Sequence, residues 1–572
     1  MQHKKRFILV FIAILAIGLC TAGRPAPKPY TILIYMNGSD LESDFGAATT
    51  DLVEMLDSGL DSRNANIVIL TGGTYRWQND VIPAGDCVIW EIKDGWLYEV
   101  TSMGNVSMGD PTTLRDFIVY GMDNYPADRF GLIMWDHGGG SIAGFGHDEK
   151  FNDDSLTLHD MWLAFEESGL RNSKLEFLGF DACLMATIEM AVLASDYAYV
   201  LIASEDLEPG DGWDYTFLGA LNTKPQMNGI TLGKTIVDSF MDFYGPDSDE
   251  LLSLSVTDLT RVQPVMDTMG ELMAVASNRL KSQNGPSFHQ LAQKRGVTKT
   301  FGEGSPRDNY SDMVDIGDMA RHLAEYFPHE ARAVQRALHR CVVYNRHNSD
   351  VDLYGLATFY IYGGKSEGTH SLRIYSDLEM DANYTAYLHH FFNGLVNRRS
   401  GRDIIPPIQS ELVLWQPLNN NIYRMAGLLQ TAAPADDLLW PQLNGRPISM
   451  YSVATTARNR LYAVPAEING RDGDIMIVFN RCYPQGHIRG VRYFDGHVIQ
   501  KGYDPIEPGD KIAIYALEWD FSRDTIEKNW HKGDVFTVTD GLRLTWSVAR
   551  EGYRLGYRHT GAYRDVEYTQ PF

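Results

Sequence analysis

Cysteine is scarce in this chain of 572 residues, with five in all, and no two of them form a Cys-x-x-Cys pair. A disulfide framework and a zinc-ribbon site are thereby excluded. Positive charge is also short: 50 Lys and Arg stand against 74 Asp and Glu, a net charge of -24. That balance argues against nucleic acid as a partner and favours cationic ones. The long apolar run near the start, Phe7 to Leu19, is too short to span a bilayer comfortably. What is present is an ordinary globular composition, 44% hydrophobic and 22% charged. A chain of this length outgrows a single core, so two or three domains are expected.

The same apolar run, preceded by Lys4, Lys5 and Arg6, reads as an export signal over residues 1–22. Two processing sites remain open in "IGLCTAG": after Ala22, or before Cys20 if that residue is acylated as in bacterial lipoproteins. Either way the mature chain is expected outside the cytoplasm, touching a membrane only through such a lipid anchor. With Cys20 set aside, Cys87, Cys183, Cys341 and Cys482 are left scattered, and one of them is free for chemistry.

"YTILIYM" (30–36), "ANIVIL" (65–70), "FGLIMW" (130–135), "KLEFLGF" (174–180) and "YAYVLIA" (197–203) are short runs rich in β-branched and aromatic residues. Helix-length segments lie between them, such as Leu114 to Asn124 and Leu158 to Glu167, the second opened by a Thr157/Asp160 capping pair. Strands alternating with helices predict an α/β fold: a mainly parallel sheet covered by helices on both faces. Further strands are expected at 251–259 and 354–362, then an aromatic helix, "YTAYLHHFFNGLV". The charges and paired prolines of Asn397 to Glu411 read as a linker. Beyond it, strand-length runs between Gly, Asn and Asp turns predict a separate all-β, sandwich-like domain. The expected division is 28–400, a linker at 401–411, and 412–572.

In parallel α/β sheets ligands bind at the carboxyl ends of strands. Two reactive side chains are expected there. In "LEFLGFDACLMA" Cys183 follows a strand and is placed at the first turn of a helix, where the helix dipole favours a thiolate; the plain alternative is a buried structural thiol. In "LIMWDHGGGS" His137 ends another strand, with Gly138 to Gly140 leaving room for an extended peptide and for an N-H to face an oxyanion. Such a histidine can hold the thiol proton and return it to a leaving amine. His147, in "GFGHDEK", is a rival base. Asp181, two residues before Cys183, is expected on the same side of the extended chain, either selecting a cationic substrate side chain or capping a helix. Downstream, "ASEDLEPGDGWDY" carries Glu205, Asp206, Glu208, Asp211 and Trp213, and either walls the same pocket or forms a solvated turn.

Strand-His-Gly, then strand-Asp-Ala-Cys, then "SEDLEPGDGWDY" together resemble the clostripain family of cysteine peptidases, relatives of caspases and gingipains, over roughly residues 28 to 400. The resemblance implies a caspase-like sheet, His137 and Cys183 as a catalytic dyad, and the Gly138 and Cys183 N-H groups as the oxyanion hole. It further implies Asp181 as the acid that prefers Arg or Lys at P1, with Asp211 as a second acid of that pocket. Family members also mature by cleavage in the loop after the histidine strand, with calcium assisting. Here that loop is "GFGHDEKFNDDSLTL", and Lys150 is its only Lys or Arg. Asp148, Glu149, Asp153 and Asp154 are its candidate oxygen ligands for Ca²⁺, although they follow no DxDxDG pattern; no cofactor is required for the chemistry itself. The competing expectation is a surface binding protein on a degenerate peptidase scaffold, docking protein or glycan through β-domain aromatics such as Trp415, Tyr493 and Trp530.

Overall fold

The computed structural model describes residues 26–397 apart from 246–247, 249, 281–287, 303–311 and 363–364, and most of 413–570 strand by strand. The export signal, Cys20 and the 401–411 linker lie outside the described residues. Among those described, no helix is long and apolar enough to cross a membrane.

The apolar runs become strands because β-branched side chains pack well on a pleated surface. In chain order they are β1 (Lys28–Asn37), β2 (Ala65–Gly72), β3 (Cys87–Lys93), β4 (Trp96–Gly104), β5 (Ala127–Trp135), the short hairpin β6 (Phe145–Asp148) and β7 (Asp154–Leu156), β8 (Phe177–Asp181), β9 (Val200–Ala203) and β10 (Ser253–Asp258). β11 (Thr300–Phe301) and β12 (Met313–Asp315) form a small sheet with β14 (Ala357–Phe359), and β13 (Val342–His347) closes the main one. The main sheet has nine strands in the order β13-β10-β9-β8-β5-β1-β2-β3-β4. Its centre, β9-β8-β5-β1-β2, is parallel. Both edges are antiparallel. The sheet is therefore mixed, and the expected parallel arrangement holds at its centre.

Alternate residues point to opposite faces. Ile32 and Ile34 of β1 join Ile67 and Ile69 in one core, which includes Leu52 and Trp213. Leu33 and Tyr35 join Val68 and Leu70 in the other, which includes Phe117 and Phe165. The helices used below are α1 (Ser39–Ser43), α2 (Ala47–Asp57), α3 (Pro111–Asn124), α4 (Gly140–Ala143), α5 (Leu158–Glu167) and α6 (Ile188–Ala194). The Thr157/Asp160 capping box is present at the start of α5.

Among the described residues past 412, the strands pair antiparallel. Leu443, from a five-stranded sheet, shares a core with Tyr462, Val464, Ile475 and Ile477 of an eight-stranded one. This β region is docked on the α/β region: Leu251 is buried against Leu461, Ala463, Met476 and Val478. The Asn459 amide also donates to the Ser248 carbonyl at 2.6 Å. Tyr493, expected as an exposed docking aromatic, is only 9% exposed and sits beneath the Arg471 guanidinium, 4.2 Å from its ring centre. The side chains of Trp415 and Trp530 lie outside the described residues.

Candidate active site

β5 and β8 are parallel neighbours, paired up to Trp135 and Asp181. The two chain ends therefore emerge side by side, and the Asp136 N-H donates to the Asp181 carbonyl at 3.3 Å. Two residues on, a Cβ built on Gly138 would meet the Cys183 carbonyl at 1.9 Å and the Cys183 nitrogen at 3.1 Å. Only glycine permits so close an approach. The main chains that follow His137 and precede Leu184 are thus in contact, and the Gly138 and Cys183 amides are neighbours.

His137 is 2% exposed, and its Nε2 lies 2.7 Å from Asp40 Oδ1. Burial pushes the Asp40 carboxyl up. The His137 charge and hydrogen bond beside it, with a smaller contribution from His147, outweigh that and hold Asp40 well below the usual carboxylate range. Asp136 is fully buried and accepts from Ser39 Oγ at 2.6 Å, Asn37 Nδ2 at 2.5 Å and the His147 N-H at 2.7 Å. Burial raises its pKa to about 6, against the opposing charges of His137 and His147. His147, the rival base, lies edge-on to His137 with ring centres 6.0 Å apart and faces Asp153 at 3.3 Å. A cleft of about 700 Å³ opens on this side, walled by His137, Gly138, Asp40 and Glu149 and, from the β region, by Arg471 and Tyr493.

Cys183 does not line that cleft. It is 2% exposed, and its Sγ accepts the Glu208 N-H at 3.2 Å. The helix expected to begin at Cys183 begins at Ile188, with Thr187 as its N-cap. Between them Leu184 takes φ +65°, and its N-H donates to the Asp206 carbonyl at 3.0 Å. The thiol therefore sits in a strained turn, a setting common at functional sites. The expected activation by a helix dipole is corrected, because that effect fades within a turn.

Asp181 is wholly buried and caps no helix. Its Oδ2 accepts from the Trp213 N-H at 3.2 Å and the Tyr215 hydroxyl at 3.0 Å. Gly212, at φ +63°, is pressed so close that a Cβ there would lie 2.7 Å from Asp181 Oδ1. The acidic stretch 204–215 is packed and is not a solvated turn: Glu205, Asp206 and Glu208 are buried, while Asp211 is exposed, and none of them lines the cleft beside His137. Sequence reasoning left Asp40 unnamed. Its one local signal is an aspartate just past the end of β1, where it competes with many equivalent N-terminal helix acids.

Lys150, expected in a flexible loop, instead lies in a short helical turn between β6 and β7, with its amine bound to the Ala84 and Gly85 carbonyls at 2.7 and 2.9 Å. The four candidate calcium ligands do not fit one ion. Asp148 accepts the Met108 and Lys150 N-H groups, Glu149 binds Ser43, Thr74 and Tyr75, Asp153 faces His147, and Asp154 accepts from Ser107. Among the described residues no group of three or more His, Cys, Asp or Glu is placed to hold a metal.

Comparison with known proteins adds a family match. A model described as the clostripain family matches residues 34–393. Clostripain of Hathewaya histolytica is 30% identical over an alignment spanning 32% of this chain and 40% of that protein, so the match covers less than half the length of this curated relative. Two solved structures are also similar. One is an inactive zymogen C11 protease from Parabacteroides distasonis, with 20% identity, TM-score 0.47, and coverage of 62% of this chain and 97% of the other. The second is a secreted C11 cysteine protease from Bacteroides thetaiotaomicron, with 19% identity, TM-score 0.47, and coverage of 64% and 100%.

Proposed function

The chain belongs to the clostripain family of cysteine proteases, and from that premise we propose that it is an exported endopeptidase cutting after Arg or Lys through Cys183 and His137. The observation that carries this reading is the contact between Gly138 and Cys183, which joins the ends of β5 and β8 so tightly that no side chain fits between them. His137 takes the thiol proton, and the thiolate sulfur bonds to the scissile carbonyl carbon. The oxyanion that forms is held by the neighbouring Gly138 and Cys183 N-H groups. The C-N bond then breaks as His137 gives its proton to the leaving amine, and water hydrolyses the thioester.

Asp181 sits at the end of β8 beneath residues 204–215, where an ionised carboxyl would suit a guanidinium or ammonium, with the exposed Asp211 as the second acid. Binding a basic side chain there requires Gly212 to Tyr215 to move off the carboxylate. Cleavage after Lys150 by the enzyme itself is part of the same reading. Export rests on the Lys4–Arg6 and Phe7–Leu19 signal and agrees with the secreted relative from Bacteroides thetaiotaomicron; retention by acylated Cys20 remains the alternative to release after Ala22. The test is to incubate the purified chain and its Cys183→Ala variant with a peptide library, and to treat both with an irreversible arginyl ketone. Cleavage after basic residues and labelling, both lost in the variant, are expected. Absence of both in the wild-type chain would leave the binding-protein reading.

A further inference from the structure

We propose that Asp40 is the positioning residue of His137, fixing which ring nitrogen serves the thiol and stabilising the imidazolium formed when the proton moves; this rests on the peptidase reading above. The geometry begins with the sequence "NGSDLES". β1 ends at Asn37 and α1 starts at Ser39, so the chain must reverse within a residue or two. It does so with Ser39 at φ +45°, a left-handed conformation that a serine adopts only when its surroundings enforce it. Here they do: Ser39 is fully buried, its hydroxyl donates to Asp136 Oδ1 at 2.6 Å, and the Gly38 N-H is held by the Gly72 carbonyl at 2.8 Å.

The consequence is that the next residue, Asp40, is aimed back across the end of the sheet at His137 Nε2, 2.7 Å away. Asp136 holds both partners of this arrangement. It precedes His137 in the chain, and through Ser39 and Asn37 it grips the turn that carries Asp40. A carboxylate engaging Nε2 keeps a proton on that nitrogen, so the thiol proton is handled through Nδ1. The same carboxylate offsets the positive charge that appears on the ring. Without it the imidazole would be a weaker base and free to change tautomer.

Other titratable groups face His137 as well. Asp136 precedes it in the chain, and His147 lies edge-on at 6.0 Å. Asp44, Glu149, Asp153, His370 and Arg471 stand around the cleft. Asp40 is hydrogen-bonded to the ring at Nε2, 2.7 Å away.

The experiment compares the full chain with Asp40→Asn, Asp40→Glu and, as a control, His147→Gln, measuring kcat and KM on an arginyl peptide across pH, with melting temperatures alongside. Asp40→Asn should lose at least tenfold in kcat with KM within about twofold. The limb of its pH profile that reports His137 should move down by half a unit or more. Asp40→Glu should keep that limb in place at reduced kcat, and His147→Gln should leave it unmoved. Unchanged kcat and pH limbs in Asp40→Asn would overturn the proposal, as would a shift produced equally by His147→Gln. If Asp40→Asn does not fold, Asp40→Glu decides: a displaced limb in that charge-conserving variant overturns it. Labelling of wild-type Cys183 by the arginyl ketone keeps the two levels apart. A wild-type chain that is neither labelled nor active fails as a peptidase and removes both ideas, whereas a labelled, active wild type with an indifferent Asp40→Asn variant removes this one alone.

Discussion

The two strand ends that meet at the site are finished to different degrees. On the β5 side His137, the proposed base, borders an open cleft and is bound to Asp40, and the turn behind it is locked by Asp136. On the β8 side Cys183, the proposed nucleophile, and Asp181 are sealed, with Cys183 under Glu208 and Asp181 under Trp213 and Tyr215. The difference is one of access: the His137 side borders a cleft, whereas the Cys183 side is covered by residues 204–215. On the proposed reading a substrate side chain in the β8 half must first displace hydrogen bonds from residues 204–215, and binding loops are drawn from the less stable parts of a fold.

Removing either reactive group breaks the comparison most severely. Cys183→Ala and His137→Ala should each lower kcat/KM by a factor of at least a thousand while melting within a few degrees of wild type, because neither side chain is a large part of the core. Near-normal turnover by His137→Ala would transfer the role of base to His147. The next effect is smaller and falls on the sealed half alone. Asp181→Asn should erase preference for basic over neutral P1 residues by about 2 kcal/mol, the scale of a charge-assisted hydrogen bond, as read from relative kcat/KM on paired peptides. A variant still cutting only after Arg would show that Asp181 serves Trp213 and Tyr215 and no substrate.

The reactive residues of both halves were legible in the sequence, and the residues that hold them were less so. The central strands and α5 announced themselves because their burial on one or both faces imposes apolar runs and periodicity that no other constraint disguises. The edge hairpin β3–β4 did not, since Trp96 to Gly104 faces solvent along most of its length and buries no repeating pattern. His137, Cys183 and Asp181 were visible as reactive types at strand ends. The start of α6 was misread because "CLMAT" is compatible with a helix by composition, and only the reversal at Leu184 and the Thr187 cap decide otherwise. Asp40 was invisible for a related reason: its role depends on one unusual φ at Ser39, which residue types do not encode.

Lys150 sharpens the comparison, since it lies on the finished side and yet is the expected scissile residue. Its amine is tied to two carbonyls, and it lies in a short helical turn between β6 and β7. Cutting there should therefore be slow, taking place only from a conformer in which those bonds have opened. N-terminal sequencing over time should find a fragment beginning at Phe151 that is absent from Cys183→Ala. A fully active chain with Lys150 uncut would mean that access to Cys183 is governed by residues 204–215 alone.

The remaining expected effect concerns the carboxylate that fastens the finished half. Asp136 titrates in the folded protein at about 6, against about 3.9 for an unfolded aspartate. The folded state holds that proton more tightly, so the contribution of Asp136 to stability is fully present below about pH 3.9 and is lost as pH rises through about 6. Asp40 runs the other way: its depressed pKa stabilises the fold above about pH 3.9, and that contribution is lost only as pH falls further. Between pH 4 and 6 the Asp136 trend is therefore the one exposed to measurement. Chemical denaturation of wild type and Asp136→Asn across that window should show the wild type losing about 2 kcal/mol relative to the variant as pH rises, with both changing in parallel above pH 7. Parallel curves throughout would mean that the donors from Ser39, Asn37 and His147 compensate the buried charge fully, and that the turn carrying Asp40 is held as firmly by an ionised Asp136 as by a protonated one.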